Sequence, residues 1–496
     1  MTKRLIDLIG GPDMQAARNI RDVEITGLTA DSRAVVTGDL FAALKGAKSD
    51  GVAHIPEALD RGAAALLVAS DAINRMAEVG VPVVADDNPR RAFALMAARF
   101  YVEQPETIVA VTGTNGKSSV AGFARQLWAR MGLKSASIGT LGLEAPGRNG
   151  GPSLTTPDPV SLHRMLAEMK AGGVEHVAIE ASSHGLHQCR LDGVRLKAAA
   201  FTNLTRDHLD YHATVEDYLA AKARLFDTVL PEGGTAVLNA DVPEYEALAA
   251  ICKRRRISVL GYGRGSDGRR PALRVVGRKH TPEGQRLTIA VEGRVYVVDT
   301  PLVGDFQAAN ILCALGLVIA SGGDATKAVE AIPLLKGVRG RLERVATMPS
   351  GATVFVDYAH TPDALENVLR AMRPAVHGKL WVVFGCGGDR DPGKRPIMGE
   401  IAQRLADRVI VTDDNPRSED PAAIRQAILA GCPEAEEIGD RMAAIAETIR
   451  RLRRGDILVV AGKGHEQGQE IAGRKLPFDD ATVAREAAVL LGGEGQ

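Results

Sequence analysis

The chain has 496 residues, 45% of them apolar, and Lys+Arg and Asp+Glu both number 61, so the net charge is zero. That balance argues against a protein that wraps nucleic acid, and at roughly 150 residues per domain the length suggests about three domains. Five scattered cysteines without a C-x-x-C (Cys189, Cys252, Cys313, Cys386, Cys432) point to reduced thiols in a cytoplasm rather than disulfides or zinc.

Asp7 interrupts the apolar residues after Lys3 and Arg4, so no signal peptide is expected. The longest apolar run, Ile311–Ala320, is about half a membrane span. A soluble protein without a membrane partner is expected. Residues 1–101 read as a first α/β domain, with strands at Ala63–Ala69 and Val81–Ala85 and a helix at Phe93–Tyr101. Within Thr29–Gly46, the polar trio Asp31-Ser32-Arg33 precedes an apolar strand, Leu40–Leu44; taken alone, the trio is a surface turn. Gln104-Pro105 makes a linker.

The central domain, residues 102–340, opens on I-V-A-V-T-G-T-N-G-K-S-S. Ile108–Val111 has the composition of a buried strand, and Val120, Phe123, Ala124, Leu127 and Trp128 recur at helical spacing after Lys117. Strand, glycine turn and helix form a phosphate cradle. Gly113 and Gly116 turn backbone N–H groups, with those of Thr114, Asn115 and Ser119 nearby, toward one anion at a helix N-terminus. Lys117 would reach the β- and γ-phosphates of ATP and Ser118 would offer a hydroxyl to Mg²⁺. The general motif asks for glycine where Val111 stands, so a glycine turn opening a structural helix is the alternative.

Further strands are expected at Ser135–Thr140, Val177–Glu180, Ala198–Asn203 and Ala236–Leu238, with a helix at Val160–Ala171 after Thr155-Thr156-Pro157. Parallel strands ending in polar residues aim them at one crevice. Glu180 is therefore either a metal ligand or a helix cap, and His208 either a ligand or a satisfied core histidine. Lys222 lies on a helix, Asp217–Leu230, where a lone lysine reads as part of a solvated face. Ser258–Val298 is β-rich. Asn310, early in an apolar helix, reads by itself as a surface amide. Lys336–Arg341 is a glycine-rich basic connector, a candidate hinge.

Residues 341–496 alternate strand and helix. Strands Thr353–Val356, Lys379–Phe384, Arg408–Thr412 and Asp456–Val460 each run into a polar cluster. Helices near Pro362–Arg373, Pro396–Ala406, Pro421–Leu429 and Met442–Leu452 separate them, with Pro396 and Pro421 in first turns. This is βαβ repetition around a parallel sheet, with all four clusters on one rim.

T-G-T-N-G-K-S-S, E-A-S-S-H-G-L, T-N-L-T-R-D-H-L-D-Y-H, Y-L-A-A-K, R-L-E at Arg341 and V-D-Y-A-H-T-P at Asp357 occur in this order across nearly the whole chain. Together they resemble the Mur ligases, ATP-dependent amide-forming enzymes of peptidoglycan synthesis, and D-S-R with G-D-L-F is similar to the branch that adds the third residue of the stem peptide. The resemblance implies a small N-terminal α/β domain for the UDP substrate, a central P-loop ATPase-like parallel-sheet domain and a C-terminal Rossmann-like α/β domain for the amino acid, in a cytoplasmic monomer. It implies that Lys117, His208, Lys222 and Arg341 carry the chemistry. Ser118, Glu180 and His208 would hold Mg²⁺, and Lys222, carbamylated by CO₂, would support a second ion. Asn310, Arg341 and Asp357 would join Gly113–Ser119 in contacting ATP. Ala30, Ser32, Thr155, Thr156, Ser182, Gln188 and Arg190 would bind a UDP-muramoyl dipeptide.

In that family D-N-P-R, here Asp414-Asn415-Pro416-Arg417, accompanies diaminopimelate. The Arg417 guanidinium would pair its far carboxylate through two parallel hydrogen bonds. Arg390, Gly462 and Glu466 would complete the pocket, Glu466 facing an ammonium. Without the resemblance, Arg417 reads as a turn residue. Leu154 stands where some members have asparagine and Cys189 where histidine often sits. The implied reaction passes through an acyl phosphate on the D-glutamyl γ-carboxylate, which the incoming amine then displaces. Three alternatives are weighed against it. One is a lysine-adding ligase. Another is a folylpolyglutamate synthetase, against which D-S-R argues. The last is a nucleotide sensor without turnover, against which Lys117, His208 and Lys222 argue.

Overall fold

The computed structural model describes residues 1–10, 16–18, 21–46, 49–76, 78–150, 154–208, 211–265, 268–281 and 284–495. Three main sheets follow one another along the chain. In the first, strands Gly27–Thr29, Asp39–Ala42, Ala65–Ala69 and Val83–Asp86 run parallel in that order, and Ala16–Arg18 adds an antiparallel edge. The expected strand Leu40–Leu44 is shorter, Asp39–Ala42. Helix Pro89–Tyr101, capped by the Asn88 side chain, carries the chain into the next unit.

The second sheet has eleven strands among the described residues. Its phosphate-loop strand, Thr107–Thr112, lies between His176–Glu180 and Leu196–Phe201 and is parallel to both. Alternate side chains serve opposite faces, as a pleated strand requires. Val109 and Val111 join Phe123, Trp128, Ile311 and Leu315 in one core, whereas Ile108 and Ala110 join Leu166 and Phe201 in the other. The region expected to be β-rich holds Ser258–Gly263, Leu273–Thr281, Gly284–Val291 and Arg294–Thr300, the last three forming an antiparallel extension. The helix expected at Asp217–Leu230 begins earlier, at Val215, because Thr214 caps it. It gives way after Arg224 to a π segment, Leu225–Val229.

In the third sheet the parallel order is Arg408–Val411, Leu380–Phe384, Ile457–Ala461, Thr353–Asp357. The expected clusters thus share one rim. Glu343–Thr347 and Glu494–Gly495 continue this sheet antiparallel, and Asp480–Leu490 is a further helix. No helix among the described residues is long and apolar enough to cross a membrane.

Candidate active site

The glycine turn after Thr107–Thr112 is built for close approach. Gly113 has φ +141°, and a Cβ there would lie 1.9 Å from Thr202 Oγ1; Gly116 has φ +88°, and a Cβ would lie 2.5 Å from Asn310 Oδ1. Asn310, buried rather than a surface amide, therefore lies against the turn. The Asn115 amide N–H donates to Asn203 Oδ1 (3.0 Å). Lys117 Nζ folds back onto the carbonyls of Gly113 (2.9 Å) and Thr114 (2.8 Å). Desolvation pulls its pKa down, opposed by Glu180 and reinforced by Arg341.

Lys222 departs most from its local reading. It is 1% exposed rather than solvated, and its Nζ donates to the same Gly113 carbonyl (2.8 Å) and sits 4.2 Å from the centre of the Tyr218 ring. Burial, then the nearby Lys117 charge, hold its pKa well below the ordinary 10.5. A neutral amine with a free lone pair is a nucleophile.

Ser118 Oγ donates to Glu180 Oε2 (3.0 Å), and Glu180 also accepts from the Thr140 amide (2.9 Å) and hydroxyl (3.1 Å). A hydroxyl and a carboxylate beside a phosphate loop are the hard oxygen donors that Mg²⁺ selects. His208 also lines the cleft, but its side chain is 44% exposed, with Nε2 3.6 Å from Asp207 Oδ2 and its ring 4.9 Å from that of His184. Among the described residues no three His, Cys, Asp or Glu side chains converge as a ready cage. Mg²⁺, which keeps several waters and binds substrate phosphates, does not demand one.

The C-terminal unit closes the other wall of a cleft of about 450 Å³. Arg341 Nη2 reaches Ser118 Oγ (3.3 Å), its guanidinium lies 4.7 Å from the Tyr358 ring centre, and Asn115 Nδ2 donates to Asp363 Oδ2 (3.1 Å). Burial pushes the Asp357 carboxyl up to about 6. Arg341 and the amides of Leu342 and Ala359 oppose that rise. Asp207, Tyr218, Tyr358, His360 and Asp363 also line the cleft. They were not singled out from the sequence, although all but Asp363 lie in the quoted motifs.

The residues expected to bind the UDP substrate form two groups. Thr155 and Thr140 share a hydroxyl contact (3.1 Å), Thr156 bonds Ser182 (3.0 Å), and Arg190 donates to the Thr156 carbonyl (2.7 Å) and to Gln188 Oε1 (2.8 Å). Thr155 and Ser182 line the cleft, while Gln188 and Arg190 lie outside its lining. Ser32 stands apart on the first sheet's turn after Ala30, bonded to Glu57 (2.7 Å). Cys189 is buried with Sγ 3.8 Å from Asn88 Nδ2, and Leu154 is exposed.

Arg390, Asp414, Asn415, Pro416, Arg417, Gly462 and Glu466 do not line this cleft; they gather on the rim of the third sheet. Arg417 is left-handed (φ +53°) and is pinned by hydrogen bonds from its amide to the Glu470 carbonyl and from the Ala472 amide to its own carbonyl. Its Nη1 donates to the Gly388 carbonyl (2.7 Å) and its Nε lies 3.4 Å from Glu470 Oε2. Asn415 Nδ2 donates to Glu466 Oε2 (2.9 Å), and a Cβ on Gly462 would lie 2.6 Å from Asp414 Oδ2. Arg390 is exposed, its Nη1 near the Asp389 carbonyl (3.3 Å).

A phosphate loop facing a C-terminal unit across a cleft, with a polar rim beyond it, is the layout of a ligase that couples a triphosphate to two further substrates. The chain belongs to the Mur ligase family: residues 24–101 match the Mur ligase family catalytic domain, 111–318 the Mur ligase middle domain and 340–464 the Mur ligase glutamate ligase domain. The UDP-N-acetylmuramoyl-L-alanyl-D-glutamate–2,6-diaminopimelate ligase of Chelativorans sp. (strain BNC1) is 55% identical over 94% of this chain and 95% of its own. Its counterpart from Mesorhizobium japonicum is 53% identical over 98% and 99%. A solved structure of a ligase of that name superposes with a TM-score of 0.69 at 34% identity, covering 94% of this chain and 95% of the other.

Proposed function

We propose that this protein uses ATP to join 2,6-diaminopimelate to the D-glutamate of UDP-N-acetylmuramoyl-L-alanyl-D-glutamate, in peptidoglycan synthesis. The reading is carried by identity of 55% over 94% of the chain to a ligase of that name, with T-G-T-N-G-K-S-S and the other quoted motifs present in order. The γ-carboxylate of the D-glutamyl residue attacks the γ-phosphate of ATP in line and becomes an acyl phosphate. The amine of diaminopimelate then displaces phosphate and forms the amide.

Catalysis here is positioning and charge stabilisation. Lys117 exchanges its two loop carbonyls for phosphate oxygens, and Arg341 adds its charge from the opposite wall. Asn310, Asp357 and residues Gly113–Ser119 seat ATP. Ser118, Glu180 and His208 would hold Mg²⁺ and a carbamate on Lys222 would support a second ion; bound there, the metal would supply charge neutralisation at the transferring phosphoryl group. Burial of the Lys222 amine, which holds its pKa well below the ordinary value, supports carbamylation. Ala30, Ser32, Thr155, Thr156, Ser182, Gln188 and Arg190 hold the UDP substrate. Arg390, Asp414–Arg417, Gly462 and Glu466 take the amino acid.

The divisions between units fall near 101/102 and 340/341; each main sheet lies inside one of the three segments, which supports them. Both walls of the cleft come from one chain, which supports a monomer. Five free, buried thiols support a cytoplasmic setting. The test offers purified protein ATP, the UDP-muramoyl dipeptide and each diamino acid in turn, reading phosphate release. Release that requires both the dipeptide and diaminopimelate is expected. Release with lysine but not diaminopimelate would make it a lysine-adding ligase.

A further inference from the structure

Lys463 is absent from the expected amino-acid set although it lies between two of its members, Gly462 and Glu466. Its side chain is 0% exposed. A buried ammonium is costly unless it is paired and hydrogen-bonded. Here Nζ donates to Asn415 Oδ1 (2.9 Å) and to Glu466 Oε2 (3.1 Å). Asn415 Nδ2 in turn donates to that same Glu466 oxygen (2.9 Å), so the three side chains close a ring.

The ring fixes two orientations. Lysine only donates, so Asn415 must present its oxygen to Nζ and its nitrogen to Glu466. The Asn415 oxygen also accepts from the Glu470 amide (2.9 Å). Glu470 meets Arg417 twice, through its carboxylate (3.4 Å) and its carbonyl (3.0 Å). Glu466 Oε2 is thus tied inward by two donors, while no described hydrogen bond engages Oε1. One buried ammonium therefore sets the acidic group directly and braces the basic group through Asn415 and Glu470.

We propose that Lys463 is the positioning residue of the amino-acid pocket. It turns Glu466 Oε1 toward the far ammonium of the diamino acid and steadies Arg417 against the far carboxylate. The inference rests on the functional reading above and adds to it a residue that touches neither reacting atom.

The test is steady-state kinetics of the full chain carrying Lys463→Met, which keeps length and burial but removes the donors. The KM for diaminopimelate should rise about tenfold or more, as expected for losing hydrogen bonds to charged and buried partners. The KM values for ATP and the dipeptide should stay near those of the wild type, as should kcat at saturating diaminopimelate. Should that variant not fold, Lys463→Gln, which retains one donor for Asn415, should show an intermediate rise in the same single constant. An unchanged KM for diaminopimelate, or an equal rise in all three constants with a lower melting temperature, would overturn the assignment. Wild-type protein assayed alongside keeps the two claims apart: no diaminopimelate-dependent release from the wild type defeats the functional reading, whereas a variant-specific result bears on Lys463 alone.

Discussion

Arg341 Nη2 and Ser118 Oγ lie 3.3 Å apart, although 223 positions separate them in the chain. The guanidinium arrives from the connector between the second and third sheets, while the hydroxyl opens the phosphate-loop helix. In the proposed mechanism Arg341 is the charge that the C-terminal unit delivers to the nucleotide. Arg341→Ala should lower kcat by roughly 10²–10³-fold, the cost of losing one preorganised electrostatic stabiliser. Phosphate-release kinetics with a far-ultraviolet circular dichroism control measure it; activity within a factor of three of wild type would exclude the role.

Lys222 offers a chemical test. Lys222→Ala should be inactive, because it removes the buried amine whose carbamate is proposed to support the second metal ion. A small carboxylic acid in the assay should restore part of the rate by standing in for the carbamate. Restoration absent at every acid concentration, with ATP still bound, would mean that the amine acts uncarbamylated.

Arg417→Lys should keep the fold, since the backbone bonds to Glu470 and Ala472 do not need the guanidinium. It should raise the KM for diaminopimelate about 100-fold, because an ammonium cannot make the two parallel bonds of the planar fork. Unchanged turnover with diaminopimelate would remove Arg417 from the pocket.

Two buried groups give pH dependences of opposite sign. His163 is fully buried against the Asp192 carbonyl (3.1 Å), and burial lowers its pKa from 6.5 to about 4. Its unfolded form therefore takes up a proton first. Stability present above pH 6.5 is lost as pH falls toward 4, by about 3 kcal/mol at most. His163→Gln should flatten that stretch of a denaturant-midpoint profile, and an unaltered slope would refute it. Asp357, raised to about 6, binds its proton more tightly when folded, so its contribution falls as pH rises from 3.8 to 6. If the carboxylate seats ATP, kcat/KM for ATP should drop below pH 6, and Asp357→Asn should lose that acid limb along with affinity.

Local chemistry made the phosphate loop legible. A short β-branched run, two glycines and a helical apolar stripe are adjacent in the chain, and the structure keeps them as strand, turn and helix. The four parallel strands of the third sheet were legible for the same reason. What was hidden depends on distant partners. Lys222 looks solvated on its own helix and is buried only because the Gly113 carbonyl, 109 positions away, arrives above it. Glu343–Thr347 pairs with Glu494–Gly495 at the far end of the chain, a register no local pattern encodes. Lys463 lies in a polar turn whose closing partner, Asn415, is 48 positions upstream.

The amino-acid rim stands outside the phosphate cleft and leans on it at close joints. A Cβ on Gly340 would lie 2.2 Å from the His465 amide, and the Tyr358 ring, over which the Arg341 guanidinium lies, is tilted against the His465 ring with centroids 5.0 Å apart. On the proposed function, choice of monomer and making of the bond are housed separately. Exchanging the loops at 413–417 and 462–470 as one cassette should then redirect the protein toward other diamino acids, provided the glycine at 340 and the aromatic ring at 358 are left as its docking points.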